Sequence, residues 1–237
     1  MKTTNTTANT ASNLISDIKS AAATTPREHL SREEIISIAE QVATSLAAIL
    51  EEGFRSSRDI KEIILHCSAT KQGDDFSAGD IRRWHLQRGF NDIGYHFVVR
   101  LDGTVERGRD MNLAGAHCLN HNRRSIGICY VGGLDRAGRP ADTRTPAQRV
   151  ALPELIRRLR RHHPAATIHG HREFAAKACP CFNAAEYSSL RPDDAGSLTA
   201  TPRGQHEPMT SIISPSSNID RSMILALTSL SPRATTP

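Results

Sequence analysis

The chain has 237 residues, 38% of them hydrophobic, and a formal net charge of +5 at neutral pH. This length suits one domain with tails, because domains cluster around ~100 to 150 residues. No stretch approaches the ~18 consecutive apolar residues of a membrane span, and residues 1–5 lack the apolar segment of a secretory signal. We therefore expect synthesis in the cytoplasm without a transmembrane segment. The positive net charge favours binding to anionic polymers, but it does not indicate which polymer is bound.

Two segments precede the predicted domain. Residues 1–28 are rich in Thr, Ser, Asn and Ala and have no sustained apolar period, so we predict a flexible leader. Ser31-Arg32-Glu33-Glu34 then has the form of a capping box, and apolar residues recur at helical spacing as far as Gly53. We assign an amphipathic helix and a polar linker to residues 29–59, and favour packing of this helix on the domain over binding of a partner.

The predicted domain covers residues 60–190 and begins with a strand and a helix. The apolar run 60–67 predicts a mostly buried strand that ends around His66. A second helix starts near Ser77 and stops at Gly89, where glycine stands in the usual terminator position.

A hairpin follows the second helix. Residues 94–100 read as a strand, Asp102-Gly103 is a strong turn signal, and residues 104–107 return antiparallel. Because side chains alternate along a strand, Tyr95 and His96 are expected on opposite faces and therefore not in the same cavity.

The second half of the domain alternates loop, strand and helix. A long loop over residues 108–124 is followed by a strand over 125–131, and loops of that length are usually functional or disordered. Thr145-Pro146 begins a third helix. Its last turns carry four arginines, which we interpret as a solvated face: Arg157, Arg158, Arg160 and Arg161.

The chain closes with a strand, a short helix and a tail. Residues 166–169 predict the strand, and 184–190 the short terminal helix. Pro, Ser, Thr, Gly and Asp dominate residues 191–237, which cannot bury enough apolar surface to offset the entropy of ordering, so we expect disorder there.

Residues 168–182 concentrate metal-binding side chains directly after a predicted strand. Imidazole nitrogen and thiolate sulfur suit zinc, and three protein ligands with one open position are typical of catalytic zinc. His171 and Cys179 supply two ligands, and His66 at the end of the first strand supplies a third. Residues beside these candidates remain alternative ligands: His169, Cys67 and Cys181.

The chain has five cysteines, so a complete set of internal disulfides is excluded. Cys118 and Cys129 would be free to pair in an oxidising compartment. We favour the interpretation that both are small, semi-buried free thiols, because cysteines stay reduced in a reducing compartment.

Five segments in succession carry a family resemblance: residues 64–70, 93–99, 102–109, 125–129 and 171–180. Together they resemble the zinc-dependent N-acetylmuramoyl-L-alanine amidases, within these most closely the bacteriophage lysozyme-type amidases and the related peptidoglycan recognition proteins. The resemblance implies an α/β fold with a mixed central β-sheet flanked by helices. It also implies cleavage of the amide between N-acetylmuramic acid and the L-alanine of the peptidoglycan stem peptide.

The resemblance assigns site residues as well. One Zn²⁺ per chain would be held by His66, His171 and Cys179, with Tyr95 and Lys177 at the two catalytic positions. Amide hydrolysis needs stabilisation of an oxyanion and orientation of water, roles that suit Lys177 and Tyr95 respectively.

The resemblance also suggests two residues of a substrate-binding groove. They are His117 and Asn122, both in the long loop over residues 108–124.

Two other function classes compete with hydrolysis. A recognition protein would bind the same polymer without turnover, but such members typically lose the cysteine ligand, so Cys179 favours an enzyme. Nucleic-acid binding through the arginine-rich helix is less favoured, because no aromatics are interleaved with the cations.

The expected substrate lies outside the membrane, whereas the chain shows no secretion signal. We expect a monomeric phage or prophage lysis enzyme, without a specific nucleic-acid partner, that reaches peptidoglycan through membrane lesions. An interbacterial effector and signal-independent export are the alternatives for its route to the wall.

Overall fold

The computed structural model describes residues 30–192 as one sheet flanked by helices with a small second sheet. Its α-helices are α1 (Arg32–Ala48), α2 (Ala78–Gln87) and α3 (Pro146–His162). Its strands are β1 (Glu62–Cys67), β2 (Thr70–Lys71), β3 (Phe97–Val99), β4 (Val105–Arg107), β5 (Ser125–Tyr130), β6 (Gly133–Leu134) and β7 (Thr167–Gly170). Single-turn 3-10 helices lie at Glu51–Phe54, His171–Glu173 and Ala184–Tyr187.

The central sheet has the strand order β4-β3-β5-β1-β7, and β2 pairs with β6 separately. Only the β3–β4 pair of the central sheet is antiparallel, so the predicted mixed sheet is confirmed. In β1, the residues at positions 63–67 are all buried, as expected for a central strand with neighbours on both sides. The carboxyl ends of parallel strands β5, β1 and β7 meet at one edge, where α/β folds commonly bind ligands.

The hairpin is shorter than the sequence pattern predicts. Strand β3 begins at Phe97, so Tyr95 and His96 precede the regular pleat. The expectation that these two residues avoid one cavity stays a prediction. Both rings approach that of His117, with centroid distances of 6.3 Å for Tyr95 and 5.8 Å for His96. The backbone N–H of His96 donates to the carbonyl of Gly127 in β5 at 2.8 Å.

Helix α1 packs on the domain, as favoured from its apolar spacing. Ser31 and Glu34 form both hydrogen bonds of the predicted capping box. Val42 and Leu46 are fully buried in the same apolar cluster as the residues of β1 and β5. The hydroxyl of Ser45 also accepts a hydrogen bond from the backbone N–H of Val105 at 3.2 Å.

The arginines of α3 are not a solvated face throughout. Arg157 and Arg158 are buried, and both lie within 4.0 Å of the buried carboxylate of Glu154. Arg158 also donates a hydrogen bond to the carbonyl oxygen of Leu46 at 3.2 Å. Helix α1 packs against α3 and covers Arg158, whose guanidinium reaches the Leu46 carbonyl. The spacing of apolar residues in α3 does not predict this contact.

The predicted leader over residues 1–28 and all but two residues of the predicted tail over 191–237 lie outside the described residues. The predicted terminal helix is a 3-10 turn at Ala184–Tyr187. Among the helices of residues 30–192, none combines the length and apolarity needed to cross a bilayer.

Candidate metal centre and active site

Three nitrogen and sulfur donors converge at the carboxyl edge of the sheet. His66 lies near the end of central strand β1, His171 follows edge strand β7, and Cys179 returns on the next loop. Their potential ligand atoms all lie within 4.8 Å of one another, and Cys179 Sγ is 3.8 Å from His66 Nδ1. Tetrahedral ligands of zinc at ~2.0 to 2.3 Å would lie roughly 3.3 to 3.8 Å apart, so the donor set fits this ion with little movement.

The loop that carries Cys179 is held against the sheet by its backbone. Arg172 donates its backbone N–H to the carbonyl of Cys179 at 2.7 Å, and the backbone N–H of Cys67 points to the Cys179 sulfur at 3.3 Å. A side chain at Gly170 would place its Cβ 2.8 Å from Pro180. Glycine at this position therefore allows the close return of the cysteine loop.

The imidazoles of the cluster are kept neutral. Burial, followed by the neighbouring His117, lowers the pKa of His66 well below its usual range. Burial and the nearby Lys177 ammonium lower the pKa of His171 to about 4. Metal coordination requires a free imidazole lone pair, so this electrostatic environment favours the ligand form at neutral pH.

The alternative ligands left open by the sequence are engaged elsewhere. The two ring nitrogens of His169 lie 2.7 Å from Glu173 and 2.9 Å from Thr167. The sulfur atoms of Cys67 and Cys181 lie 3.8 Å apart. Within residues 30–192, the single group of three or more His, Cys, Asp or Glu side chains with converging donors is the predicted set.

Tyr95 and Lys177 lie beside this donor set. The Tyr95 ring centroid is 5.1 Å from that of His66, and burial raises the pKa of Tyr95 well above its usual range. Tyr95 is therefore a neutral phenol and a hydrogen-bond donor at working pH. Lys177 is exposed on the loop between His171 and Cys179, and its charge acts on both histidine ligands.

The structure places the two predicted groove residues in one folded loop. His117 Nδ1 lies 3.0 Å from His66 Nε2, a contact that the sequence did not indicate. Asn122 Oδ1 accepts the backbone N–H groups of His117 and Cys118 at 2.9 and 3.0 Å. Asn122 thus fixes the loop that places His117 beside the donor set.

Two contributors to this region were missed by sequence reasoning. Arg58 donates hydrogen bonds to the carbonyls of Met111, Asn122 and Ser125, which ties both ends of the loop to one guanidinium. The ring of Phe174 contacts that of His121 at a tilt of 30°, with centroids 3.9 Å apart, and this contact links the loop to the cysteine loop. Neither has a sequence signal, since both act through contacts between distant segments.

All five cysteines are free thiols, and Cys118 and Cys129 are both buried. Both are thiols as favoured from the sequence, but they are fully buried and not semi-buried as predicted.

Comparison with known proteins identifies the family. Residues 56–182 match the N-acetylmuramoyl-L-alanine amidase family. The chain belongs to this family. It is 43% identical over 130 residues to an endolysin of Enterobacteria phage K11 and 42% identical to one of Escherichia phage T7. Each of these matches covers 55% of this chain and 86% of the relative.

A solved amidase structure is also similar to this chain. It is the endolysine N-acetylmuramoyl-L-alanine amidase LysCS from Clostridium intestinale URNW, with a TM-score of 0.47 and 30% identity. The match covers 53% of this chain and 78% of that one. The matched amidase region of this chain contains all the candidate site residues: His66, Tyr95, His117, Asn122, His171, Lys177 and Cys179.

Proposed function

We propose that this amidase family member is a zinc-dependent N-acetylmuramoyl-L-alanine amidase acting as a phage-type lysis enzyme. It would hydrolyse the amide between N-acetylmuramic acid and the L-alanine of the stem peptide in peptidoglycan. The observation that carries the proposal is the converging His66, His171 and Cys179 donor set in a chain of this family. The phage endolysins among its relatives support the lysis role.

The residues at the centre fit one zinc ion. The donor set consists of two neutral imidazoles and the Cys179 sulfur, which lies 3.8 Å from Nδ1 of His66. Zinc prefers nitrogen and sulfur donors, and three protein ligands would leave one of its four positions open. When bound there, zinc would supply Lewis-acid activation of a water molecule and of the scissile carbonyl.

The protein's own groups supply the remaining chemistry. Attack on the amide places negative charge on its carbonyl oxygen, and the exposed Lys177 ammonium beside the proposed ligands is the cation that stabilises this charge. Tyr95, held as a neutral phenol against His66, donates a hydrogen bond that orients the attacking water or assists proton transfer.

The loop over residues 108–124 forms one wall of the proposed groove. The sequence-based expectation assigns His117 and Asn122 to the substrate side. Because both ring nitrogens of His117 and Oδ1 of Asn122 face protein partners, we propose that the two residues shape this wall and do not bind the substrate through these atoms. The catalytic unit would comprise residues 60–190, with residues 29–59 supplying the packed helix. We propose a monomer that meets peptidoglycan after release from the cytoplasm, without a nucleic-acid partner.

The test is product analysis with metal control. Purified protein is incubated with peptidoglycan sacculi before chelation, after chelation and after return of zinc. Mass spectrometry is expected to find free stem peptides only in the zinc-containing states, and Cys179→Ala is expected to lose both bound metal and product. Cys181→Ala, which changes a thiol 3.8 Å from Cys67 and outside the donor set, is the matched control and should keep both.

Two results would contradict the proposal. Full activity of the metal-free protein would exclude the zinc mechanism. Binding to sacculi without release of stem peptides would instead indicate a recognition protein.

A further inference from the structure

His66 presents its two ring nitrogens to different partners. Nδ1 lies 3.8 Å from the sulfur of Cys179, on the side of the metal cluster. Nε2 lies 3.0 Å from Nδ1 of His117, a residue 51 positions later in the chain. His66 is 1% exposed, so water does not compete freely for either nitrogen.

Metal binding through Nδ1 of His66 would determine where the protons of both rings lie. For His66 Nδ1 to offer a lone pair to a metal, its ring proton must be on Nε2, from which it is donated to His117. His117 Nδ1 must then accept, which puts the proton of His117 on Nε2. Nε2 of His117 lies 3.4 Å from the Ser125 hydroxyl. With these proton positions, His66 donates a hydrogen bond to His117, and His117 donates one to Ser125.

The position of His117 is built into the fold. A Cβ added to Gly115 or Gly127 would lie 2.4 Å or 2.5 Å from Cδ2 of the His117 ring. The absence of a side chain at Gly115 and Gly127 therefore provides the space that the His117 ring occupies. The backbone N–H of His117 is held by Asn122 at 2.9 Å, which fixes the approach of the ring.

We propose that His117 is a positioning residue that holds His66 in the tautomer with Nε2 protonated and Nδ1 free for the metal. This deepens the proposed function, because it rests on the metal site proposed there. Metal-binding histidines usually donate their second N–H to a carboxylate, a carbonyl or water, and loss of such a partner typically weakens metal binding ~10- to 100-fold. Here an imidazole nitrogen takes the acceptor's place.

A role confined to the substrate groove predicts something different. It requires a ring nitrogen of His117 that is free for the substrate, whereas both nitrogens face protein partners. Under a groove role, replacement of His117 raises KM and leaves zinc affinity unchanged.

The first test is zinc affinity, measured by competition with a chromophoric chelator. His117→Phe keeps a ring but removes the acceptor, and should weaken zinc binding roughly 10- to 100-fold. His117→Asn returns an acceptor oxygen near the position of Nδ1 and should recover most of the affinity. His162→Phe is the matched control, since His162 lies at the end of α3 beside Glu51, and should bind zinc like the unmodified protein.

The second test reads the tautomer directly and needs no variant. In ¹⁵N-histidine-labelled, metal-free protein, long-range ¹H–¹⁵N NMR should show the proton of His66 on Nε2. A proton on Nδ1 would overturn the proposal, as would unchanged zinc affinity in a folded His117→Phe protein.

Neither readout depends on turnover. Zinc bound with these properties but no amide cleavage would contradict the proposed function alone. Cleavage with a His66 proton on Nδ1 would contradict the positioning role alone.

Discussion

Lys177 shows how a single exposed side chain gains a role from its neighbours. It lies on the loop between two proposed ligands, and its charge lowers the pKa of both His171 and His66. An ammonium that repels protons from the imidazoles is, for the same reason, available to a developing oxyanion. Under the proposed function, this one residue would favour both the neutral form of the histidines and the negative charge formed during reaction.

This double role predicts the effect of removing the charge. Lys177→Ala should lower kcat by about 100- to 1000-fold, the usual loss for one oxyanion-stabilising group. Zinc content should stay at the wild-type level, because Lys177 is not in the donor set. The measurement is release of stem peptides at saturating peptidoglycan, with zinc quantified in the same preparation.

The matched control is Lys71→Ala, which removes an exposed lysine from the small sheet. It should leave kcat unchanged. Loss of zinc from Lys177→Ala, or a kcat near the wild-type value, would contradict the assigned role.

At the level of elements, the parallel strands bring the proposed ligands together, and α1 packs on the core of the domain. Leu65 of β1 is in register with Gly170 of β7, so the next residues, His66 and His171, emerge side by side. On another part of the domain, Val42 and Leu46 of α1 belong to the main apolar cluster. Helix α1 is therefore a structural element of the domain and not a loosely attached segment.

This packing predicts a large stability difference between two nearby leucines. Leu46→Ala removes a fully buried side chain and should lower the free energy of unfolding by about 2 to 5 kcal/mol. Leu50→Ala changes a side chain that is 75% exposed and should cost less than about 0.5 kcal/mol.

Urea unfolding of both variants, followed by circular dichroism, gives the comparison. Equal midpoints for the two variants would show that α1 does not share the core. The midpoint of unmodified protein is the reference for each.

For the whole molecule, buried neutral histidines make stability depend on pH. Burial lowers the pKa of both His85 and His96 to about 4, and Arg88 and Arg58 respectively add to the effect. In the unfolded chain these groups titrate near 6.5. Between these values the unfolded state binds more protons than the folded state, so stability is fully present at neutral pH and is lost as pH falls.

The expected result is a falling free energy of unfolding between pH 6.5 and about 4, on the order of 3 kcal/mol for each of the two histidines. His85→Asn removes one titrating group while keeping an acceptor for the backbone N–H of Gly94, which His85 Nδ1 binds at 2.9 Å. Its stability should therefore fall less steeply over this pH range. The measurement is urea unfolding of chelator-treated protein at several pH values, and an unchanged slope would contradict the assignment.

The sequence pattern by itself predicted the main helices and strands and the residue types of the proposed metal site, and the family resemblance of five segments implied the mixed sheet. Buried strands and capped helices leave local periodic patterns, as the capping box at Ser31 and Glu34 shows. Imidazole and thiol side chains that follow predicted strands also indicate a metal site, because parallel strands end at one edge. The choice of His66, His171 and Cys179 over His169, Cys67 and Cys181 came from the family resemblance.

Only the tertiary structure decided the contacts between distant segments. The bond between His66 and His117, the loop anchoring by Arg58 and the burial of Arg157 and Arg158 depend on how elements pack, which no local period records. The choice of His66 Nδ1 as the nitrogen facing the cluster is of the same kind. A sequence specifies an imidazole, but the surrounding fold determines which nitrogen carries the proton, since the two tautomers differ only in their hydrogen-bond partners.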